Sequence, residues 1–572
     1  MGTNSRLTAS EIKQAGAHYT PPDLARFLAK SICAQIRVVD GHPLRVLDPA
    51  CGDGGLLEAL AIELPEETRR LCTLVGMEND PDALSDAEER LKHLSGCSGF
   101  ELIDADFLDW TSNFRQSSLF GRGNYPEKFD VVISNPPYVR TQVMGADKAR
   151  ELAAEYGLTG RIDLYHAFAL AMADVLKEDG VLGLLCSNRF LSIQSGSKLR
   201  HMLLNTFRLH DVFDLGDTKL FSAAVLPAIV IGTKQQPSGA DNCSFTKVYE
   251  LHSPVGENHV GFDNIIAAIE AKATGPVRVP GGLFEIESAN LAIPGSSSEP
   301  WRLSSPTQEG WLGAVWKNAP LTFADVAKVH VGIKTTADNV FIRSDWDVLS
   351  ADMRPEPELL RPLLSNDIAA PWWPTRPASD LRVLYTHTVV NGKRVPIDLC
   401  KYPKAARYLE NHRQQLEGRS YVIEAGRKWY EIWVPQNPAD WAKPKVVFAD
   451  ISSTPKFYLD RTRAIVDGNC YWFTGKEKTL YLLLAVANSS FILRFYDSVC
   501  GNKLYAGRRR FITQYVQRFP VPDPEAKVSR KIVDEVRSLL NLDSDSPDAS
   551  RSMQQIDDLV WQSFGLVKEV RR

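Results

Sequence analysis

Residues 129–139 read Phe-Asp-Val-Val-Ile-Ser-Asn-Pro-Pro-Tyr-Val, an apolar strand ending in Asn135-Pro136-Pro137-Tyr138. Two consecutive prolines remove amide donors and stiffen the turn, so the groups around them point in fixed directions. The Asn135 amide and the Pro136 carbonyl then converge on one amino group and accept both of its N–H bonds. Its nitrogen lone pair is left facing an incoming methyl group. Tyr138 offers a face on which a planar base stacks. Asn-Pro and Pro-Pro are also ordinary turn formers, so the motif takes its weight from the segments upstream.

The first of these is Arg45-Val-Leu-Asp48, a strand that enters the turn Pro49-Ala50-Cys51-Gly52-Asp53-Gly54 and then the apolar helix 56–64. Strand, glycine-bearing turn and helix form the first unit of a nucleotide-binding α/β fold. Gly52 and Gly54 permit a tight turn and close approach to a ligand, and Asp48 ends the strand at the crevice. Cys51 reads as packing. The next strand, 73–78, ends in Glu78, with Asn79 after it. Glu78 lies 24 residues beyond Gly54, about where this architecture places the carboxylate for ribose hydroxyls. The Gly-x-Gly-x-x-Gly pattern of NAD enzymes is absent.

Positioning these residues requires a sheet. Strands are expected at 45–48, 73–78, 100–103, 129–134, 181–187, 209–215 and 226–232, with a helix over 162–177. Runs such as Val131-Val132-Ile133 suit strands buried on both faces. The alternation predicts a doubly wound, mostly parallel α/β sheet, with an antiparallel edge formed by the last two strands. The Gly/Pro/Ser-rich stretch 275–307 reads as a linker or long surface loop. Beyond it the pattern is mixed α+β and rich in Trp and Tyr, and the tail shows helical patterns near 527–541 and 552–564. The expected domains are a catalytic domain 1–250, a linker and peripheral segment 251–310, a mixed α+β domain 311–525 and a helical tail 526–572.

The net charge of −4 hides an asymmetry. Residues 1–250 hold 25 Lys and Arg against 33 Asp and Glu, whereas residues 301–572 hold 39 against 31. A neutral or acidic catalytic part joined to a polyanion-binding part gives this pattern, as does a plain solvated basic face. The nine scattered cysteines form no Cys-x-x-Cys pair, which excludes a zinc ribbon or disulfide framework. No metal cluster is apparent. No apolar run suits a membrane span or signal peptide, so a reducing, cytoplasmic setting is expected.

These segments resemble the gamma class (TaqI-like) of DNA adenine-N6 methyltransferases across the whole N-terminal part. The match begins at Gly16-Ala-His-Tyr19-Thr20-Pro-Pro-Asp23, where Thr20 reads as an N-cap with Pro21 at the first helical position. The resemblance implies the class I fold of S-adenosylmethionine-dependent methyltransferases, with S-adenosyl-L-methionine as cofactor. Tyr19 and Thr20 would cover its methionine end, and Asp106, followed by Phe107, would contact its adenine. Asn135 would serve both cofactor and target. Gly160–Phe168 and Gly180–Ser187 resemble the family's next two motifs, and Phe221 looks like the aromatic on the second face of a flipped base. The C-terminal half resembles the family's target-recognition domains more weakly. Lys503, Tyr505, Arg508, Arg509 and Arg510 are its implied DNA contacts.

The resemblance thus implies methylation of adenine in double-stranded DNA, by a monomer serving a restriction-modification or phage-defence system with a cognate restriction endonuclease. Too few residues flank the motifs for a nuclease domain, so modification without cleavage is expected. An RNA or protein-glutamine N-methyltransferase shares the Asn-Pro-Pro-Tyr turn and is the alternative. A DNA-binding subunit with a vestigial cofactor site is a further one, disfavoured by the intact Asp48, Gly52, Glu78, Asp106 and Asn135.

Overall fold

A computed structural model of the chain describes residues 19–37, 41–120, 127–138, 146–159, 163–221, 226–236, 242–251, 259–292, 296, 299–377, 379–501 and 504–568. The chain divides into two compact units, residues 1–305 with 501–507 and residues 306–500 with 508–572.

In the first unit, β1 (Leu44–Asp48), β2 (Cys72–Glu78), β3 (Gly99–Asp104), β4 (Phe129–Ser134) and β5 (Leu176–Ser187) run parallel. With β6 (Phe207–Asp214) and β7 (Pro227–Lys234) they take the order β3-β2-β1-β4-β5-β7-β6, β7 being antiparallel to both neighbours. Val131, Val132 and Ile133 are fully buried, which is why β4 is apolar at successive positions rather than alternating. Sequence order reverses between β1 and β4, and the loops leaving these strands part to open a crevice at their carboxyl ends.

Helices α1 (Pro22–Cys33), α2 (Gly55–Glu63), α3 (Pro81–Lys92), α4 (Phe107–Phe120) and α5 (Leu164–Val175) flank these strands. α1 buries Leu24, Phe27, Leu28 and Ile32. It lies so close to β5 that a Cβ on Gly183 would stand 2.2 Å from Ile32 Cδ1.

The antiparallel pairing of β6 with β7 is as expected, but these strands are not the edge. β8 (Ser244–Glu250) adds parallel to β6, and β11 (Gly282–Ala292), β10 (Gly275–Val279) and β9 (Val260–Gly261) follow, with β12 (Arg302–Ser304) beside β11. The stretch 275–307 is therefore not a linker. It opens with a hairpin that buries Phe284 and Ile286, and it returns Trp301 to the core, edge-on to Phe190 at 5.7 Å. The Trp301 N–H donates to the Leu191 carbonyl at 2.7 Å. The compact unit runs to Ser305 rather than to residue 250.

The second unit holds two four-stranded sheets of short strands. One comprises His330–Val331, Cys470–Thr474, Lys445–Ala449 and Phe457–Asp460, the other Ile342–Arg343, Arg382–Leu384, Leu360–Leu364 and Ile465–Val466. A fully buried Lys445–Asp460 pair, 2.6 Å apart, ties two strands of the first. The tail does not stand apart. Its helices α8 (Lys527–Leu539) and α9 (Pro547–Ser563) pack with α6 (Glu477–Asn488) and α7 (Ser490–Val499), and the Phe491 and Phe564 rings stack at 4.2 Å. Among the described residues no single helix is long and apolar enough to cross a membrane.

Candidate cofactor and base site

The crevice between β1 and β4 holds a cavity of about 330 Å³. Its floor is the turn after β1. The Cys51 N–H donates to the Met77 carbonyl, and the Glu78 carboxylate accepts from the N–H groups of Gly52 (3.0 Å), Asn79 (2.8 Å) and Asp80 (3.0 Å). Glu78 thus fixes the loop it faces as well as presenting an anionic edge to the cavity. Gly52 is needed here for two reasons: its φ is +51°, and a Cβ would stand 3.2 Å from the Tyr19 ring above it. Arg90 of α3 clamps the same turn, pairing with Asp53 at 2.6 Å and Glu58 at 2.8 Å.

Asp48 is buried at the end of β1. One carboxylate oxygen accepts from the Ala50 N–H at 3.2 Å, and the other, Oδ2, has no hydrogen-bond partner. Burial, reinforced by the nearby Glu78 charge, pushes its pKa from 3.8 to about 8. A cationic group in the cavity would relieve both conditions. Asp106 caps α4, its Oδ1 accepting from Leu108 and Asp109.

The other wall is the Asn-Pro-Pro-Tyr turn. Asn135 Nδ2 donates to Thr20 Oγ1 at 3.1 Å, and the Tyr138 hydroxyl donates to Asn135 Oδ1 at 2.6 Å. The amide nitrogen faces the Thr20 hydroxyl and its carbonyl oxygen faces that of Tyr138. Thr20 is not the helix cap expected from the sequence. The helix begins at Pro22 with Pro21 as N-cap, and no side chain caps it. The Thr20 hydroxyl is taken instead by Asn135, 115 residues away. Tyr138 meets Tyr165 edge to face at 6.2 Å.

The cavity brings together Tyr19, Thr20, Asp48, Pro49, Ala50, Cys51, Gly52, Glu78, Asn79, Asp106, Phe107 and Asn135 through Tyr138, all singled out from the sequence. Gly54 is not in its lining. With φ +77° it begins α2 and packs against Ala87 of α3. Phe221 is not in the lining either: it is buried in the apolar cluster that contains Leu215 and Ile229. The apolar lining comes instead from Leu164 and Phe168, four residues apart on one face of α5. Their spacing was legible, but it reads equally as core.

Two of the arginines expected to contact DNA are ion-paired within the second unit. Arg509 pairs with both oxygens of Asp497 at 2.7 Å and donates to the Ser453 carbonyl at 2.8 Å. Arg510 pairs with Asp450 at 3.0 Å. Both guanidiniums are neutralised within the protein and brace the short pairing of Ile451–Ser452 with Arg509–Arg510. Arg508 is exposed. Lys503 and the side chain of Tyr505 lie outside the described residues, as do Gly16–His18, Gly160–Ile162 and residues 222–225.

Residues 68–221 match the Eco57I restriction-modification methylase family. The chain is 40% identical to the Type II methyltransferase M.BanIII of Aneurinibacillus aneurinilyticus over 97% of each chain. It is 24% identical to the Type II methyltransferase M.BstVI of Geobacillus stearothermophilus, over 91% of this chain and 92% of the relative. Among solved structures, the Type IIL restriction-modification enzyme MmeI in complex with DNA superposes with a TM-score of 0.61 at 14% identity, covering this whole chain and 78% of that one. That likeness establishes the fold alone. The end-to-end identity with M.BanIII, on a sheet that carries this cavity at its switch point, places the chain in the family of Type II restriction-modification DNA methyltransferases.

Proposed function

We propose that the cavity takes S-adenosyl-L-methionine and that the chain methylates N6 of an adenine flipped out of duplex DNA. The donor set fits the cofactor. The buried, unpartnered Asp48 Oδ2 suits an ammonium, Glu78 suits ribose hydroxyls, and the close approach permitted by Gly52 leaves room beneath Tyr19. When bound, the cofactor supplies an electrophilic methyl group on a sulfonium. The protein's own residues do the rest. Asn135 Oδ1 and the Pro136 carbonyl accept the two N–H bonds of the target amine, and its lone pair is turned toward the methyl group. Tyr138 holds one face of the base and Phe168 is placed to hold an edge. Alignment of this kind contributes roughly 7–11 kcal/mol in well-oriented systems. No general base need act before transfer, because the neutral amine is the nucleophile.

The observation that carries this reading is the orientation of the Asn135 amide. Its nitrogen donates to Thr20, and its oxygen, which accepts from Tyr138, keeps a second lone pair for an amine. An amino group bonded this way is that of adenine, cytosine or a glutamine side chain, and the Asn-Pro-Pro-Tyr turn with the upstream Thr-Pro-Pro element favours adenine. The same reading supplies a cognate restriction endonuclease as partner and a monomer as the working form, since one catalytic and one reading unit suffice. Nucleoside mass spectrometry on DNA from a methylation-free host expressing the chain tests it, with Asn135→Ala as control. N6-methyladenine that disappears in the variant is the expected result. N4-methylcytosine, or no modified base from a soluble chain, refutes it.

A further inference from the structure

The second unit carries a two-stranded ribbon that belongs to neither of its four-stranded sheets. Residues His387–Val390 pair antiparallel with Lys393–Pro396, Val389 facing Arg394 and Val390 facing Lys393. The connection is Asn391-Gly392, with φ of +50° and +73°, the two-residue turn whose twist matches a hairpin. Seven consecutive residues, Thr388 to Arg394, are exposed, including Val389 at 36% and Val390 at 50%.

The base of the ribbon is fixed, and at the exposed tip Arg394 Nη1 donates to the Gln436 carbonyl at 3.2 Å. His387 is buried and meets Glu431 at 3.3 Å, and Thr386 Oγ1 donates to the Tyr430 carbonyl at 3.0 Å. The Ile397 N–H donates to the Thr386 carbonyl, and the Tyr430 hydroxyl donates to the Ile397 carbonyl at 2.8 Å. An isolated hairpin of this length is marginal in water, so the fold invests in holding this one out. Val389 and Val390 point to opposite faces of the ribbon, so each face of the projection presents one exposed valine.

We propose that this ribbon enters a groove of the DNA duplex and reads part of the target sequence. A two-stranded β-ribbon fits the major groove, where valine methyls pack against the thymine methyl and basic side chains meet guanine edges or phosphates. Charge selects DNA over a protein partner. Lys393 and Arg394 sit at the tip, Arg427 lies close enough to act on the His387 charge, and the Glu431 carboxylate beside His387 is turned inward to the buried base. The proposal rests on the chain's action on duplex DNA, which methylation by the wild-type protein verifies separately.

The test uses the full chain and two duplexes, one carrying the methylation site mapped by single-molecule sequencing and one with that site scrambled. Binding is titrated against salt. Lys393→Ala with Arg394→Ala is expected to flatten the slope of log K against log salt by about two, since each neutralised phosphate contributes about 0.9. Val389→Ser with Val390→Ser is expected to leave that slope alone and lower the preference for the cognate duplex by about tenfold, the scale of a lost base contact. All four positions are exposed, and thermal melting checks that both variants fold. If both bind the two duplexes with wild-type affinity, slope and preference, the ribbon does not touch DNA. A changed affinity for a second copy of the chain or for another protein, with DNA binding intact, also overturns the proposal.

Discussion

Asp48 makes the cofactor site testable by pH. Its folded-state pKa stands near 8 against an ordinary 3.8, so the folded protein favours the protonated carboxyl. A shift of that size corresponds to a differential on the order of 5 kcal/mol. The sign follows from proton uptake: an acid whose pKa is raised on folding contributes a penalty that is absent at low pH and grows as pH rises from about 4 to about 8. A bound ammonium reverses this, favouring the carboxylate and expelling the proton. Cofactor affinity should therefore rise by up to tenfold per pH unit below about pH 8, and fall again above it as the free ligand's own ammonium deprotonates. Isothermal titration in two buffers of different ionisation enthalpy reads the proton directly. Close to one proton should leave on binding at about pH 6.5, whereas at about pH 9 the ligand's amine should take one up instead. Asp48→Asn should bind weakly with no such pH dependence, yet melt higher than wild type above about pH 8, because it removes the buried charge. Proton-neutral binding by the wild-type chain throughout this range would mean that Asp48 does not face the ligand's cation.

Tyr138→Phe removes the hydroxyl that occupies Asn135 Oδ1, a bond worth about 1 kcal/mol net that the target amine must otherwise displace. KM for DNA should fall by up to about fivefold with kcat nearly unchanged; a large loss of kcat in steady-state assays would give the phenol a part in transfer itself. Phe168→Ala and Phe221→Ala separate a lining residue from a core residue. Both should lose about 3 kcal/mol of stability in denaturant titrations, but the folded fraction of the first should lose methyl transfer while that of the second keeps kcat. The opposite pattern would return Phe221 to the base pocket. Gly183→Ala forces a methyl group against Ile32 and should cost about 1–3 kcal/mol by thermal melting.

What the sequence disclosed was decided by neighbours in the chain. The apolar runs of β1, β2 and β4, the glycine turn and the Asn-Pro-Pro-Tyr motif each carry their own structural reason within a few residues. Their conjunction located nearly the whole cavity lining. Where a distant group made the decision, the reading went astray. Thr20 has the chemistry of a helix cap, but Asn135 lies within hydrogen-bond reach and the cap is left to Pro21. Arg509 and Arg510 count as free charge in the sequence, and Asp497 and Asp450 cancel them in the fold. The stretch 275–307 was read by its composition, which is turn-rich. Yet residues 282–292 hold Phe284 and Ile286 two apart, the period of a strand, and that period governed.

The Thr20 exchange bears on function as well as on prediction. A capping hydroxyl would have helped only the first turn of α1, and α1 forms without it because its apolar face and Pro22 suffice. The hydroxyl is spent instead on the amide that, in the proposed function, meets the substrate. Turning the Asn135 side chain over would present an N–H donor to the target amine, repelling it, although the Thr20 and Tyr138 hydroxyls, which can each donate or accept, would still bond the turned amide. Thr20→Val therefore tests whether orientation, rather than mere presence, of the amide governs transfer. The variant keeps the residue's shape and leaves α1 uncapped as before, so melting should change little. Its kcat should fall by about tenfold, the scale of one lost hydrogen bond of about 1.4 kcal/mol, with cofactor affinity less affected. Wild-type kcat in Thr20→Val would show that Tyr138 and the prolines orient the amide unaided.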